Sequence, residues 1–438
     1  MAEANRRGFL QVTGAALAAG AWAAPATANA AEDGPIPIGF IGPGGMGMNH
    51  VRLLAQNKEV RIAWVCDVDA NRLKAAADHV EQAAGTRPQT TGDLRRILDD
   101  RAVQAVWIAT PDHWHAPATI LACQAGKHVY VEKPCSHNLR EGRLMIEAGK
   151  QHGRVIQVGT QSRSTEGIRK GIARLREGVI GEVLVAKAWN SQRRGTIGKQ
   201  QPSSPPEFLD FDTWLGPAPA VPYRSNLLPG VWRWWHEFGA GDMGNDGVHD
   251  IDIARWGLGV EVHPTRIAAM GGKYVFDDDQ QFPDTQTVLF EYQNLPGPHS
   301  RKQLIFEQRI WSPYVQEGFE NGCAFYGTDG LMLLGKTGRY QIFGRRNKLI
   351  EEATWGGPDL AAHHRNFLGG IRTGEVQNAD VSINHVSTAL CHLGNIATRV
   401  GRALEFDPAK EMFVGDDEAG RMLKRTYREH WGAPRESV

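Results

Sequence analysis

Over the first half of the chain, short apolar runs alternate with segments in which apolar residues recur at helical spacing. A strand is predicted where an apolar run of about four to eight residues lies between turn signals, and a helix where apolar residues repeat every three or four positions. Alternating strands and helices predict a parallel sheet covered by helices. The predicted strands are residues 36–41, 60–66, 105–109, 128–132 and 155–159.

The pattern changes after about residue 180, where apolar and polar positions mostly alternate and Gly, Asp and Asn stand at the turns, as expected for strands. Beyond about residue 360 helical spacing returns. His385, His392 and Asn395 lie in this part, either lining a site or acting as ordinary polar residues of a helix. The predicted strands are residues 182–190, 265–276, 285–292, 302–310, 323–335 and 338–344.

A glycine turn follows the first predicted strand. Gly42, Gly44 and Gly47 form G-x-G-x-x-G, a helix and a second strand come next, and Asp67 lies at the end of that strand. The glycines allow a tight turn, close approach of the backbone to a pyrophosphate, and close helix packing. The alternative is a fortuitous Gly-rich turn. A carboxylate there binds a ribose 2′-hydroxyl, so NAD is predicted and NADP is the weaker alternative, favoured only by the nearby Arg72.

Composition narrows the class of protein. The 438 residues suit two domains plus a leader, and equal numbers of acidic and basic residues, without a basic stripe, argue for small-molecule partners and against nucleic acid. The five scattered cysteines indicate neither a disulfide framework nor a zinc site. Among the thirteen tryptophans, Trp232, Trp234 and Trp235 are candidates for stacking on a sugar, although core packing is the commoner use of this residue.

The first thirty residues have the features of an export signal. Arg6 and Arg7 precede an Ala-rich apolar run, and Ala28 to Ala30 fit an A-x-A cleavage site. We interpret residues 1–30 as a twin-arginine signal peptide; the alternative is a chance Arg-Arg pair before an unstructured terminus. No later apolar run approaches the ~20 residues of a membrane span. The mature chain is therefore predicted to be soluble and exported, in the periplasm or beyond.

Three motifs together resemble the glucose-fructose oxidoreductase, inositol dehydrogenase and rhizopine-catabolism (Gfo/Idh/MocA) family: the glycine turn, "TPDHWHAPATILACQAGKHVYVEKP" and "GDMGNDGVHDID". The resemblance implies an N-terminal α/β Rossmann domain at 35–158. An α+β domain with a large, open, mostly antiparallel mixed sheet would follow at 159–375. A helical segment at 376–438 would pack back on the core. It also implies homo-oligomers.

The resemblance further implies a set of site residues. The lysine of E-K-P, Lys133, would lie beside the nicotinamide and the substrate, although an ordinary surface lysine is the alternative. Candidate substrate-binding residues are Arg163, Trp232, Trp234 and Trp235. The residues expected to bind the nucleotide are Gly42, Gly44, Gly45, Met46, Gly47, Asp67, Thr110, Pro111, His113, Trp114, His115, Glu132, Lys133 and Gln161.

The segment "GDMGNDGVHDID" departs from the family pattern, in which Asp and His stand at i and i+4 of a helix. His249 matches the histidine, but Asn245 stands where the acid would be, and an amide cannot exchange a proton. Asp246 lies about 60° around a regular helix from His249. We predict Lys133, His249, Asp246 and Asn245 as the catalytic set. Two alternatives are a metal site formed by Asp242, Asp246 and His249, and a helix N-cap at Asp242.

Three functions remain open at this stage. The first is an exported NAD-dependent oxidoreductase that acts on a sugar or glycoside hydroxyl, at ring C3, with a tightly bound nucleotide. The second is a glycoside hydrolase that uses oxidation, elimination, water addition and reduction, although the "YPTH" signature of one such branch is replaced by "GNDGVH". The third is a sugar-binding protein with a structural nucleotide, for which Asn245 is the only support.

Overall fold

The computed structural model describes residues 34–435, so the predicted signal peptide lies outside the described residues. A six-stranded sheet forms first, in the order β3-β2-β1-β4-β5-β6, with every neighbouring pair parallel. Its strands are buried on both faces, which explains their continuous apolar sequences. They are β1 (Ile36–Ile41), β2 (Val60–Cys66), β3 (Gln89–Thr91), β4 (Ala105–Ile108), β5 (His128–Val131) and β6 (Ile156–Val158).

Helices cover both faces of this sheet. One face packs against α3, α4 and α5, and the other against α1, α2 and the late helix α9, whose Phe367 and Leu368 contact the strands. The helix α9 therefore completes a layer begun more than three hundred residues earlier. The helices are α1 (Gly45–Leu54), α2 (Ala70–Ala84), α3 (Arg95–Asp99), α4 (Asp112–Gln124), α5 (Leu139–His152) and α9 (Leu360–Thr373).

A ten-stranded sheet follows, in the order β14-β13-β12-β11-β7-β10-β9-β8-β15-β16. Within this sheet, over the described residues, only the β7–β10 pair is parallel. The strands are β7 (Val183–Asn190), β8 (Arg266–Gly272), β9 (Thr285–Tyr292), β10 (Lys302–Arg309), β11 (Asn321–Gly327), β12 (Leu331–Gly335), β13 (Arg339–Phe343), β14 (Leu349–Thr354), β15 (Leu404–Asp407) and β16 (Met412–Phe413).

Helices pack on one face of the large sheet and form the largest apolar core with it. Along β9 and β10, buried residues alternate with more exposed ones, as expected for a sheet covered on one side. Among the described residues, no helix is long and apolar enough to span a membrane. The covering helices are α6 (Glu166–Arg176), α8 (Val248–Leu258) and α10 (Val381–Val400); two shorter helices are α7 (Phe211–Leu215) and α11 (Asp417–Arg421).

The predicted fold class is confirmed: a Rossmann-type parallel sheet precedes a large, mostly antiparallel mixed sheet. Two local predictions differ from the structure. The stretch 323–335 was expected to be one strand but turns at Asp329 to form β11 and β12. The segment after 376 contains α10, as expected, but also β15, which extends the large sheet by pairing with β8.

Candidate active site

A cavity of about 670 Å³ runs along the carboxyl ends of the parallel strands. Its floor comes from the glycine turn and the ends of β2, β4 and β5, and its far wall includes His249 at the start of α8. The segment 206–233 covers part of it. Ligands of doubly wound sheets bind at this edge, so the cavity is the candidate site.

The glycine turn fits a dinucleotide pyrophosphate. Gly42 has a φ of 83°, and a Cβ there would lie 2.8 Å from the Thr110 backbone nitrogen. A Cβ on Gly47 would lie 2.3 Å from the Gly42 carbonyl oxygen. Both positions therefore require glycine for space, and Gly42 also requires it for its backbone conformation. Gly44, Gly45 and Met46 line the cavity at the N-terminus of α1, where backbone N–H groups favour an anion.

Asp67 lies where the ribose of a dinucleotide would be recognised. It follows β2 and lines the cavity, and its carboxylate accepts a 2.9 Å hydrogen bond from the Asp69 backbone N–H. Burial raises the pKa of Asp67 to about 6, against that hydrogen bond and the charge of Arg72. Arg72 also lines the cavity, and its side chain lies beside Gly44.

Glu132 is fixed by a buried hydrogen-bond network. His50 lies 2.8 Å from its carboxylate, and the Gln161 side-chain amide donates to it at 3.2 Å. Burial would raise the pKa of Glu132, but the His50 hydrogen bond and charge hold it at about 2. Glu132 and Gln161 both line the cavity, as predicted from the sequence. A fixed carboxylate next to Lys133 favours a charged lysine.

Lys133 meets the segment 241–252 inside the cavity. Its ammonium donates a hydrogen bond to the backbone carbonyl of Asn245. Burial lowers the pKa of Lys133, against the attraction of Glu132. The Asn245 amide is held in turn: it accepts a 2.8 Å hydrogen bond from Arg233 and donates one of 2.8 Å to Asp242. Asn245 therefore positions Lys133 through its main chain, and its side chain is occupied by protein partners.

His249 lines the same cavity as Lys133. Burial, followed by the positive charges of Lys133 and Lys336, lowers the pKa of His249 to about 3. The imidazole is therefore neutral at physiological pH and can accept a proton from a bound hydroxyl. Of the predicted catalytic set, Lys133 and His249 are the two whose side chains line this cavity.

One turn of π-helix, Met243–Gly247, interrupts the regular helical spacing of "GDMGNDGVHDID", so its acidic side chains face different partners. Asp242 is buried and accepts from Asn190 at 3.0 Å and from Arg194 at 3.0 Å, and it makes no N-cap hydrogen bond. Asp246 lines a different cavity and accepts from Lys336 at 2.6 Å, although its charge also acts on His249 and Lys133. A Cβ on Gly247 would lie 2.6 Å from the Phe306 ring, so glycine is what lets this turn approach the sheet.

Two residues of the site were not predicted from the sequence. Asp112 and Arg233 line the cavity, and the charges of both act on Lys133. Burial raises the pKa of Asp112 to about 7, against the charges of Lys133 and Arg233. Arg233 lies 4.4 Å above the Trp232 ring. A carboxylate in the first turn of a helix that begins at a strand end was the signal for Asp112; Arg233 had none beyond its tryptophan neighbours.

The "TPDHWH" loop has mixed roles. Thr110, Pro111, Trp114 and His115 line the cavity, as predicted. His113 is not among the lining residues; it contacts the Trp214 carbonyl oxygen at 2.8 Å and is buried. The loop is therefore partly a wall of the cavity and partly an anchor for segment 206–233.

The predicted substrate-binding residues separate in the structure. Trp232 lines the cavity, whereas Trp234 and Trp235 pack outside it, and the Trp235 indole donates to the Asn226 carbonyl. Arg163 is buried in a two-pronged ion pair with Asp252, at 2.8 Å. Within residues 34–435 only Trp232 of this group lines the cavity.

The candidate residues of α10 lie elsewhere. His392 and Asn395 line a separate cavity of about 240 Å³, and Asn395 donates to the Ala240 carbonyl at 2.8 Å. His385 lies 2.7 Å from Glu411, which His263 also contacts at 2.8 Å. In the described part of the chain these three are the one group with metal-ligand spacing. Arg143 also binds Glu411, which already neutralises the carboxylate.

Segment 206–233 and the C-terminal residues cover the adenosine end of the cavity. Phe208 accepts from the Ala70 N–H at 2.9 Å, and the Asp210 N–H donates to the Val68 carbonyl at 3.0 Å. Trp431 lines the cavity and packs on Trp114, with ring centroids 5.5 Å apart. We refer to segment 206–233 together with residues 425–432 as the roof.

Residues 36–160 match the family model described as "Oxidoreductase family, NAD-binding Rossmann fold", and residues 182–287 and 334–433 match its "C-terminal alpha/beta domain". Levoglucosan dehydrogenase of Pseudarthrobacter phenanthrenivorans is 29% identical over 51% of this chain and 51% of its own length. A "Glycosyl hydrolase family 109 protein" of Shewanella baltica is 28% identical over 35% of this chain and 34% of its own. The chain therefore spans about half the length of the first of these relatives and about a third of the length of the second.

A solved structure of levoglucosan dehydrogenase with NADH and levoglucosan superposes with a TM-score of 0.64 at 19% identity, and covers 85% of this chain and 99% of that one. At that identity the likeness is one of fold. It agrees with the order of the two sheets described above.

Proposed function

The chain belongs to the Gfo/Idh/MocA oxidoreductase family, whose first domain binds NAD, and from that premise we propose that it oxidises a hydroxyl of a sugar or glycoside, at ring C3, with a nucleotide that stays bound. The observation that carries the proposal is the meeting of Lys133 and His249 in one cavity with the glycine turn. Alcohol oxidation requires a hydride acceptor and a proton acceptor, and an ammonium beside the oxygen assists it by stabilising negative charge.

The residues of this chain manage the proton. Bound NAD supplies the hydride acceptor. The His249 imidazole, which its lowered pKa keeps neutral, takes the hydroxyl proton as the hydride leaves, when the substrate oxygen becomes that of a carbonyl and its proton becomes strongly acidic. The Lys133 ammonium, held by the Asn245 carbonyl, donates a hydrogen bond to the same substrate oxygen and stabilises its developing negative charge. Trp232 offers an aromatic face at the cavity wall for the sugar ring.

The roof supports the proposal of a retained nucleotide. It places apolar side chains over the end of the cavity that contains Asp67, and it is tied down by backbone hydrogen bonds to Val68 and Ala70. Release of the nucleotide would require these contacts to open. A retained nucleotide suits the proposed export by the twin-arginine route, because free NAD is not expected outside the cytoplasm. The hydride must then be returned to a second substrate or to the same one.

The second candidate is hydrolysis of a glycoside by transient oxidation, and Asp112 is the observation that favours it. This carboxyl lines the cavity with Lys133, and burial raises its pKa to about 7 against the charge of that lysine. Elimination after C3 oxidation needs a base for the acidified C2 proton and an acid for the leaving oxygen, and His249 and Asp112 are the titratable groups of this cavity that we assign to the two tasks. Oxidation at C3 is common to both candidates. The similarity to the family 109 protein points the same way.

We also propose a homo-oligomer. The face of the large sheet opposite α8 and α10 carries exposed apolar side chains at Met270, Leu289 and Tyr326, which are 76%, 38% and 44% exposed. Strand register places Leu289 opposite Ile305 on the neighbouring strand. Exposed apolar side chains on an uncovered sheet face are a feature of subunit interfaces. Light scattering of the purified protein tests this proposal.

The function is tested on the protein purified with its nucleotide and incubated with a panel of glycosides. A 3-keto sugar, with nicotinamide reduced in equal amount, supports the oxidoreductase. Release of the aglycone without added NAD supports the hydrolase. Binding of sugar with neither product would contradict both and favour a non-catalytic role.

Export is tested separately. Arg6→Lys with Arg7→Lys should keep the protein in the cytoplasm when cell fractions are probed with an antibody. Equal export of the variant and the unchanged protein would exclude the twin-arginine route.

A further inference from the structure

A second large cavity, of about 700 Å³, lies at the end of the large sheet. The π-helical turn gives one wall through Asp246, and the turns before β11 and between β12 and β13 give the others. It shares no lining residue with the nucleotide cavity in the described part of the chain. It is thus a separate concavity directly behind the segment that carries His249.

The inner wall of this cavity is a rigid polar cluster. The Asp246 carboxylate accepts from Lys336 at 2.6 Å and from the Asn321 amide at 2.9 Å, and Lys336 also lies 3.8 Å from buried Asp250. Although burial opposes it, Lys336 holds the pKa of Asp246 below its usual range. These groups are preorganised, so a ligand would meet them without further loss of side-chain freedom.

The outer wall carries one further cation, Arg339, and one further anion, Glu320, whose charge also acts on Arg194 outside the lining. Within residues 34–435 neither Arg339 nor Glu320 forms a salt bridge, and the Arg339 guanidinium lies 5.2 Å above the Phe319 ring. Gln192 completes the wall with an amide. Donors and acceptors are therefore mixed around one cavity, and its charges balance.

Such a lining selects the chemical class of the ligand. Because two carboxylates and two cations balance, the lining has no net positive charge to hold a phosphate or a carboxylate, and an apolar molecule would leave charged groups without solvent. Each hydroxyl of a polyol both donates and accepts, so vicinal hydroxyls match adjacent carboxylate, ammonium and amide groups. The volume lies within the range of small-molecule sites.

We propose that this second cavity binds a neutral carbohydrate, apart from the reacting ring. The site goes beyond the proposed oxidation and does not depend on it. Its Asp246 adjoins Asn245, whose carbonyl holds Lys133. A sugar in this cavity therefore lies against the same turn that positions the lysine of the reacting site.

The experiment uses D-glucose as the probe. Binding is measured by equilibrium dialysis on nucleotide-loaded Lys133→Met protein, so that glucose is not consumed, with and without the added pair Glu320→Gln and Arg339→Gln. These two positions border the cavity and leave the Asp246–Lys336 pair intact. Glu320→Gln with Arg339→Gln should raise the dissociation constant of one class of glucose sites at least about tenfold. As a matched control, Lys74→Gln with Asp78→Asn removes an exposed ion pair on α2 and should leave binding unchanged.

The inference would be overturned if no glucose bound, or if glucose bound equally with and without the Glu320 and Arg339 changes. It would also be overturned if these changes dissociated an oligomer at unaltered glucose affinity, because the cavity would then be an interface between copies. The proposed function and the second site can be tested independently of each other. If the unchanged protein oxidises a glycoside but the Glu320 and Arg339 changes do not alter glucose binding, the proposed function holds and the second site does not. If these changes weaken glucose binding but no glycoside product forms, only the second site holds.

Discussion

At the nucleotide end of the cavity the turn at the N-terminus of α1 is made of glycine and backbone, whereas at the reacting end the wall is made of buried ionisable side chains. Gly42 and Gly47 leave no room for a Cβ. Asp112, Lys133 and His249 instead have pKa values displaced from their usual ranges, mainly by burial. The first end recognises a ligand by shape and N–H groups, and the second controls protons.

This difference predicts separate sensitivities. Added volume at the nucleotide end should remove the nucleotide while the proton-transfer groups stay in place. Removal of charge at the reacting end should stop the reaction while the nucleotide stays bound. Variants at the two ends can therefore be distinguished by measuring nucleotide content and turnover together.

The largest effect is expected at the reacting end. Lys133→Ala and His249→Ala should each lower the turnover number for glycoside oxidation by about 10²-fold or more, because the first removes the ammonium that stabilises charge on the substrate oxygen and the second removes the proton acceptor. Nucleotide released by denaturation should remain equal to that of the unchanged protein. Near-normal turnover in both variants would show that the reacting site is elsewhere.

Asp246→Asn is the matched control for His249→Ala on the same segment. Asp246 lines the second cavity and acts on Lys133 and His249 only through its charge, so its amide should lower turnover far less than His249→Ala does. A loss as large as that of His249→Ala would restore Asp246 to the catalytic set that the sequence predicted. Thermal unfolding of the variant, followed by circular dichroism, separates this result from simple misfolding.

The next effect is expected at the nucleotide end. Gly42→Ala would place a methyl group 2.8 Å from the Thr110 nitrogen in a left-handed backbone conformation. The left-handed conformation alone costs a residue with a Cβ about 1–2 kcal/mol. The turn must shift, and the nucleotide copurifying with the protein should fall at least about tenfold.

Gly126→Ala is the control for backbone strain. Gly126 has a φ of 74° and open space where a methyl group would lie, and it is outside the cavity. It should lose a similar amount of stability and keep its nucleotide. If both variants lost nucleotide equally, general destabilisation would explain the result, and the shape of the turn would not.

The two ends also differ in how well the sequence predicted them. Gly42, Gly44, Gly47 and Asp67 could be assigned because strand, turn and helix lie within one short stretch, where local geometry decides the structure. The fold class could be predicted for the same reason, because strand and helix patterns are also local features of the sequence.

The reacting end depends on contacts between distant segments. Regular helical spacing places Asp246 near His249, but the π-helical turn, packed through Gly247 against Phe306, directs Asp246 to Lys336. Local spacing contains no information about Phe306. Asp112 was missed for a similar reason, since its raised pKa comes from burial by elements far apart in the chain.

Asp112→Asn tests the reacting end through pH. The folded pKa of about 7 lies above the unfolded value near 3.8, so the folded state binds this proton more tightly. Stability from this group is therefore present at low pH and is lost as pH rises through 7. Between pH 6 and 7 the unchanged protein should lose about 1 kcal/mol relative to Asp112→Asn in urea unfolding. A constant difference across this interval would mean that Asp112 is ionised throughout.

The smallest effect is expected at the roof, where the nucleotide end is closed by side chains. The Arg95 guanidinium lies 4.4 Å above the Trp431 ring, and Trp431 packs on Trp114, which lines the cavity beside it. Contacts between aromatic rings contribute about 0.5–1.5 kcal/mol. Trp431→Ala should therefore speed nucleotide release by roughly two- to tenfold, measured by exchange of bound nucleotide for labelled NAD.

Trp355→Ala is the matched control for this measurement, because Trp355 packs against Gly167 and Tyr340 and is not among the cavity residues. It removes another partly exposed indole and should leave the release rate unchanged. If Trp431→Ala also left it unchanged, the C-terminal residues would not contribute to retention, and segment 206–233 alone would have to hold the nucleotide. A faster release with unaltered turnover would instead show that the nucleotide end can be loosened without disturbing the proton chemistry at Lys133 and His249.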